Sequence, residues 1–176
     1  MSIFIVLILG VSLISGCIDS DDDTNGGENF EFTLLDGTTG QLSDYRGKVV
    51  ILDMWATWCG PCAYQLAELR NVYDNYNKND LEIISLDIDT RETTQVINDF
   101  IEDFKNQYGI ELEWTFGLDD GTIWEKYMIN GGIPTLYIFD QKGNIHFSHE
   151  GLSFFSEAPD SIPDATLLEP ILNKLL

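Results

Sequence analysis

Cys59 and Cys62, held in the run Cys59-Gly60-Pro61-Cys62, are the residues of this sequence best placed to do chemistry. A thiolate is a strong nucleophile, and two sulfurs one helical turn apart can bond to each other, so the pair suits thiol–disulfide exchange. The run ahead of it, Lys48 to Met54, is almost unbroken in apolar character and reads as a strand buried on both faces. The run behind it, from Pro61 to Tyr76, sets Leu66, Leu69, Val72, Tyr73 and Tyr76 on one side of a helix. Cys59 thus falls at a helix N-terminus, where unpaired N–H groups and the helix dipole favour a thiolate. A free thiol of pKa ~8.5 is only a few per cent ionised at neutral pH, and at the ~7 typical of such pairs about half is thiolate. Pro61 fits the first helical turn, where its missing donor costs nothing.

The surrounding elements follow from patterning. Phe30 to Leu35 and Gly40 to Leu42 read as a hairpin across Asp36-Gly37. Leu81 to Ile88 is a strand, and Thr93 to Tyr108 a helix with Val96, Ile97, Phe100, Ile101, Phe104 and Tyr108 at helical spacing. Leu112 to Phe116 is predicted as a strand, Gly121 to Met128 as a short helix and Thr135 to Phe139 as a strand. Gln141-Lys142-Gly143-Asn144 then turns into a strand from Ile145 to Glu150, and Asp164 is the predicted cap of a last helix through Leu167, Leu168, Ile171 and Leu175. Strands alternating with helices predict an α/β domain with a central mixed sheet, βαβ units, an N-terminal β-hairpin and a βα insertion.

The motifs resemble the thioredoxin superfamily, and within it the membrane-linked TlpA-like and ResA-like oxidoreductases, with an AhpC/TSA-redoxin type domain. The resemblance rests on Trp55-Ala56-Thr57-Trp58-Cys59-Gly60-Pro61-Cys62, on Gly132-Ile133-Pro134-Thr135 before a strand, and on the hairpin Phe139 to Ile145. It implies a cis Pro134 facing the dithiol, with the backbone of Ile133 pairing with an extended substrate segment and Gly131 and Gly132 permitting close approach. It also matches Asp53 to a buried carboxylate behind the second cysteine. Desolvation in an apolar strand raises the pKa of such a group, so it can take the proton of Cys62 near neutrality. The membrane-linked relatives often carry an acid three residues after the second cysteine, where this chain has Gln65. The expected catalytic residues are therefore Cys59, Cys62 and Asp53. The substrate-binding residues are Trp58, Gly60, Pro61, Ile133 and Pro134; Trp55 reads as core. No cofactor is expected beyond a redox-active Cys59–Cys62 disulfide.

Residues 1–17 form an uncharged apolar leader, too short for the ~20 residues that span a bilayer and of signal-peptide length. Leu13-Ile14-Ser15-Gly16-Cys17 resembles a lipobox, which makes Cys17 a lipid-attachment candidate; an uncleaved N-terminal anchor is the alternative. Residues 18–29 read as an acidic flexible linker and 30–176 as the folded domain. Location is expected on the extracytoplasmic face of the plasma membrane. The expected partners are disulfide-containing exported proteins, apocytochromes among them, and a membrane electron donor.

Thirty acidic against nine basic side chains give a formal charge of −21, which repels nucleic acid and anionic headgroups. Three cysteines cannot staple a disulfide framework, so stability must come from the core. A metal site is not expected: no second Cys pair exists, and His146 and His149 sit three apart on a predicted strand. The alternatives to a disulfide reductase are a peroxiredoxin-like thiol peroxidase and a non-catalytic metal-binding protein of the same fold. The first wants Pro and Thr upstream of its cysteine, whereas here Leu52 holds the proline's place and Thr57 sits one residue too close.

Overall fold

In a computed structural model, which describes residues 27–176, every residue of Val49–Trp55 is buried. The leader, Cys17 and the linker up to residue 26 lie outside the described residues. The elements are β1 (Glu31–Leu34), β2 (Thr39–Gln41), a 3-10 turn (Leu42–Tyr45), β3 (Val49–Trp55), α1 (Gly60–Asn75), β4 (Leu81–Asp87) and α2 (Thr94–Tyr108). There follow β5 (Thr115–Leu118), α3 (Thr122–Tyr127), β6 (Thr135–Phe139), β7 (Ile145–Glu150), β8 (Ser153–Phe154), β9 (Thr166–Leu167) and α4 (Glu169–Leu172).

Seven strands form one sheet in the order β2-β1-β5-β4-β3-β6-β7, with β3, β4 and β5 parallel and the pairings on either side antiparallel. This is the expected mixed sheet, and β5 with α2 supplies the βα insertion between β4 and β1. The period of two along β3 decides what faces what. Val50, Leu52 and Met54 enter a core with Ile84, Leu86, Ile123, Tyr127 and Phe139, on the α3 side. Val49, Ile51 and Trp55 enter the other core, with Leu66 and Leu69 of α1, Ile97 and Phe104 of α2 and Leu172 of α4. Asp53 has the parity of Ile51 and Trp55, so it points to the face covered by α1. On β4 the same alternation puts Ser85 and Asp87 on that face, with Leu81 and Ile83.

Helix α2 starts where Thr93 accepts from the Val96 N–H and stops at Gly109, whose φ of 70° lets its N–H reach the Lys105 carbonyl. Its Phe100 ring lies 4.9 Å from Trp55, so the insertion closes over the strand that leads into the dithiol.

Two expectations need correction. The strand placed at Leu112 to Phe116 begins at Thr115 instead, because the carbonyls of Glu111 and Glu113 are taken by Arg70 (2.6 Å) and Tyr73 (2.9 Å) of α1. The last helix is not capped by Asp164. Thr166 and Leu167 pair in parallel with Ser153 and Phe154, and the helix begins at Glu169. A helix started at Asp164 would carry Pro170 in its interior, at a cost of ~3 kcal/mol, whereas the observed start puts it in the first turn.

The folded body reaches ahead of Phe30. Gly27 and Glu28 donate from their N–H groups to the carbonyls of Lys142 (3.1 Å) and Gly143 (2.8 Å). The Glu28 carboxylate meets Lys126 and the Tyr127 hydroxyl, and its carbonyl meets Arg46.

Candidate active site

Cys59 is the N-cap of α1, and the N–H of Cys62 points at its sulfur at 3.2 Å. That N–H is shared with the Cys59 carbonyl (3.1 Å), and its approach to Sγ favours negative charge there, so the cap geometry helps prepare a thiolate. The two sulfurs are joined as a disulfide. Cys62 is wholly buried while Cys59 keeps 6% of its surface, which makes Cys59 the sulfur a partner can reach.

Across from it, the Ile133–Pro134 bond is cis and the Ile133 carbonyl oxygen lies 3.8 Å from the Cys59 sulfur. The loop is held from behind. Glu150 Oε2 accepts from the N–H of Asn130 (2.7 Å) and of Gly132 (3.1 Å), and Thr135 Oγ1 donates to the Gly132 carbonyl (2.7 Å). Gly131 has φ of 93°, the left-handed region. Gly132 leaves room for something other than the expected substrate approach: a Cβ there would sit 3.0 Å from the Glu150 carboxyl.

Asp53 is fully buried. Its Oδ2 accepts from Ser85 Oγ (3.0 Å), which in turn accepts from Trp114 Nε1 (3.0 Å), while Oδ1 has no protein partner. Burial drives its pKa up to about 7 and the Ser85 bond pulls back only in part. A half-satisfied carboxyl on the α1 face of β3 can accept a proton at neutral pH. Gln65, also fully buried, accepts at Oε1 from the Ser153 N–H at 2.8 Å and leaves Nε2 unpaired. The place that relatives fill with an acid is here a neutral tie between α1 and β8.

The rim is apolar and partly open. Trp58 is 61% exposed, with its Nε1 donating to Asp89 (2.9 Å), and Gly60 and Tyr64 border a cleft of about 340 Å³ against Phe104 and Tyr108 of α2. Trp55 is core. Pro61 sits in the first turn of α1, as expected. His146 is exposed, and His149 lies 3.3 Å from the Thr166 hydroxyl; neither joins the site.

The sequence reading passed over several residues beside this centre. Glu92 accepts from the backbone N–H (3.2 Å) and the hydroxyl (2.6 Å) of Thr57, next to Trp58. Asp87 is fully buried on the face of Asp53, two register pairs along the ladder, opposite Trp55. A carboxylate between Leu86 and Ile88 carries the same signal that singled out Asp53. Glu92, Glu150 and Ser85 carried no such signal, since their partners lie far along the chain.

The AhpC/TSA family model matches residues 26–148 of the chain. Over 151 residues the chain is 33% identical to the thiol-disulfide oxidoreductase ResA of Bacillus anthracis, an alignment spanning 81% of this chain and 82% of that one. A solved chain assigned as the thiol:disulfide interchange protein DsbE from Chlorobium tepidum superposes with a TM-score of 0.66 at 26% identity, covering 86% of this chain and 96% of its own. The exposed lipoprotein thioredoxin of Streptococcus pneumoniae strain TIGR4 gives a TM-score of 0.54 at 28% identity, covering 71% and 90%. The fold is thioredoxin-like. With a dithiol at a helix N-terminus and this likeness over four-fifths of its length, the chain belongs to the AhpC/TSA family and is a thiol–disulfide oxidoreductase of the ResA type.

Proposed function

We propose that the protein reduces disulfides of exported proteins from the extracytoplasmic face of a membrane to which its N-terminus ties it. The observation that carries the reading is the unequal burial of the two sulfurs, 6% for Cys59 and none for Cys62, at a helix N-terminus opposite Ile133–Pro134. In the reduced enzyme the Cys59 thiolate attacks one sulfur of a substrate disulfide. That bond breaks, the first substrate thiolate leaves and takes a proton from solvent, and a mixed disulfide remains. Cys62 gives its proton to Asp53, directly or over one water, and its thiolate attacks Cys59. The second substrate thiolate leaves and the Cys59–Cys62 disulfide forms, so two electrons have passed to the substrate. A dithiol donor at the membrane returns them.

Trp58, Gly60, Pro61, Ile133 and Pro134 form the docking face, with the Ile133 backbone offered to an extended segment. Apocytochromes are one class of exported substrate with paired cysteines. Tethering through Cys17 draws support from the apolar leader and from the pneumococcal neighbour, which is described as an exposed lipoprotein. The test is insulin reduction with dithiothreitol as donor. Wild type is active, Cys59→Ser is inactive, and Cys62→Ala accumulates a mixed disulfide on Cys59. Activity surviving in Cys59→Ser, or peroxide consumption with no insulin reduction, overturns the reading. Loss of the protein from the membrane fraction in Cys17→Ser tests the lipid.

A further inference from the structure

The carboxyl of Asp53 is held by a two-step chain that starts in the segment after α2. There Trp114 donates its indole N–H to Ser85 Oγ at 3.0 Å, and Ser85 Oγ lies 3.0 Å from Asp53 Oδ2. An indole N–H can only donate, so Ser85 receives it on a lone pair and turns its own hydrogen to Oδ2. Among the described residues that hydroxyl has no other partner. A proton on Oδ2 would reverse the bond and strand the Ser85 hydrogen, wholly buried, without an acceptor. Oδ1, buried and unpartnered, is the oxygen free to take one. Trp114 is itself fixed. Its ring stacks on Phe116 of β5 at 5.5 Å and lies 5.7 Å from Tyr73 of α1, whose hydroxyl donates to the adjoining Glu113 carbonyl.

We propose that Ser85 and Trp114 are positioning residues for Asp53, holding a one-way hydrogen bond on Oδ2 that leaves Oδ1 to receive the proton of Cys62. The inference rests on Asp53 being the base of the proposed cycle. In that step the Cys62 S–H bond breaks and its proton passes to Oδ1, directly or over one water. The Cys62 thiolate then attacks Cys59 of the mixed disulfide, and the substrate thiolate leaves. The bond from Ser85 steadies the carboxylate and so sets how low in pH the step can run. Burial pushes the Asp53 carboxyl up to about 7, and the Ser85 bond draws it the other way.

The groups packed around Asp53 leave this chain as its one polar hold. Along β3 the same face carries Ile51 and Trp55, and from β6 the register neighbour is Leu136. Beyond Leu136, His149 of β7 meets the Thr166 hydroxyl at 3.3 Å. On β4 the other acid of this face is Asp87, opposite Trp55, and from β5 Phe116 pairs with Ser85. Helix α1 brings Cys62, Leu66, Leu69 and the neutral Gln65, while its Glu68 accepts from the Phe155 N–H. Helices α2 and α4 bring Phe100 and Leu172. Among the described residues no cation pairs with Asp53.

The experiment follows the Asp53 carboxyl carbon by NMR in the disulfide form of the full-length protein, from pH 5 to 9. Alongside it runs the kcat of insulin reduction at saturating dithiothreitol over the same range. In Ser85→Ala the Asp53 midpoint and the acid limb of the kcat profile move up together by about one pH unit, so kcat at pH 6 falls about tenfold. Ser85→Thr restores the hydroxyl and returns both. Trp114→Phe moves both the same way by less, because the hydroxyl survives but is no longer turned by the indole. A merely structural role would lower the whole profile and leave its limb in place. The infrared C=O stretch of protonated Asp53 rises in Ser85→Ala, since Oδ2 then loses its donor; a stretch that does not rise puts the proton on Oδ2 and overturns the assignment. An unmoved Asp53 midpoint in Ser85→Ala overturns the proposal outright. A midpoint that moves while the limb stays overturns Asp53 as the base, whereas absence of insulin reduction in the native protein would strike the enzymatic reading instead. Should Ser85→Ala not fold, the native protein decides. Its Trp114 indole N–H resonance titrates with the Asp53 midpoint, and an indole indifferent to that midpoint sinks the chain.

Discussion

Asp53 holds a proton that most aspartates have lost by neutrality, and this affects both rate and stability. In the proposed cycle it must be deprotonated to receive the proton of Cys62. Resolution of the mixed disulfide therefore slows as pH falls through about 7. Asp53→Asn lowers insulin-reduction kcat by about 100-fold, the low end for a general base, and erases that acid limb from the pH–rate profile. For stability the sign is the reverse of an ion-paired aspartate. Its folded pKa lies above the 3.8 of an ordinary aspartate, so the folded state binds the proton more tightly than the unfolded chain. The contribution is complete below about pH 4 and is lost as pH climbs through 7; Asp87 adds to it up to about 8. The urea midpoint thus falls between about pH 5 and pH 8. Asp53→Asn makes the curve flatter. A midpoint that rises over that interval in the native protein contradicts the buried, protonated state of both groups.

Between strands and helices, the loop before Pro134 depends on one side chain of β7. Glu150→Ala removes the acceptor from the N–H groups of Asn130 and Gly132, and we expect KM for insulin to rise about tenfold with a smaller change in kcat. Glu150→Gln keeps an acceptor oxygen and restores part of the loss. Equal effects of the two substitutions would show that charge, not seating, matters. The strand-to-helix junction around Cys59 was legible in the sequence, because an unbroken apolar run changes to helical spacing right at the dithiol. Asp53 was legible for the same reason, as a charge inside an apolar strand, and Asp87 was visible by that rule though not singled out. The reach of Glu150 to residues 20 and 18 positions back, and of Glu92 to one 35 back, has no local signature; only the folded loop brings those donors together. The end of the chain was misread because the apolar spacing after Asp164 looks helical until Pro170 is weighed.

At the scale of the whole molecule, the charge of −21 acts on encounter more than on chemistry. A cationic peptide disulfide should be reduced with a kcat/KM that falls as salt rises towards ~0.15 M, where the Debye length is ~8 Å, and an acidic one should show the opposite trend. Equal, salt-independent rates for both would remove any steering role for the acidic surface. The anchoring of Gly27 and Glu28 to the Lys142–Gly143 turn has a geometric consequence. Met54 pairs with Thr135 at the working end of the sheet, and Val50 pairs with Phe139 at the other, where that turn lies. The polypeptide thus enters the globule at the pole opposite its sulfurs. Under the tethering proposed above, the reactive tip would face away from the anchored end, and a membrane-embedded reductant would meet that tip only after the globule reorients.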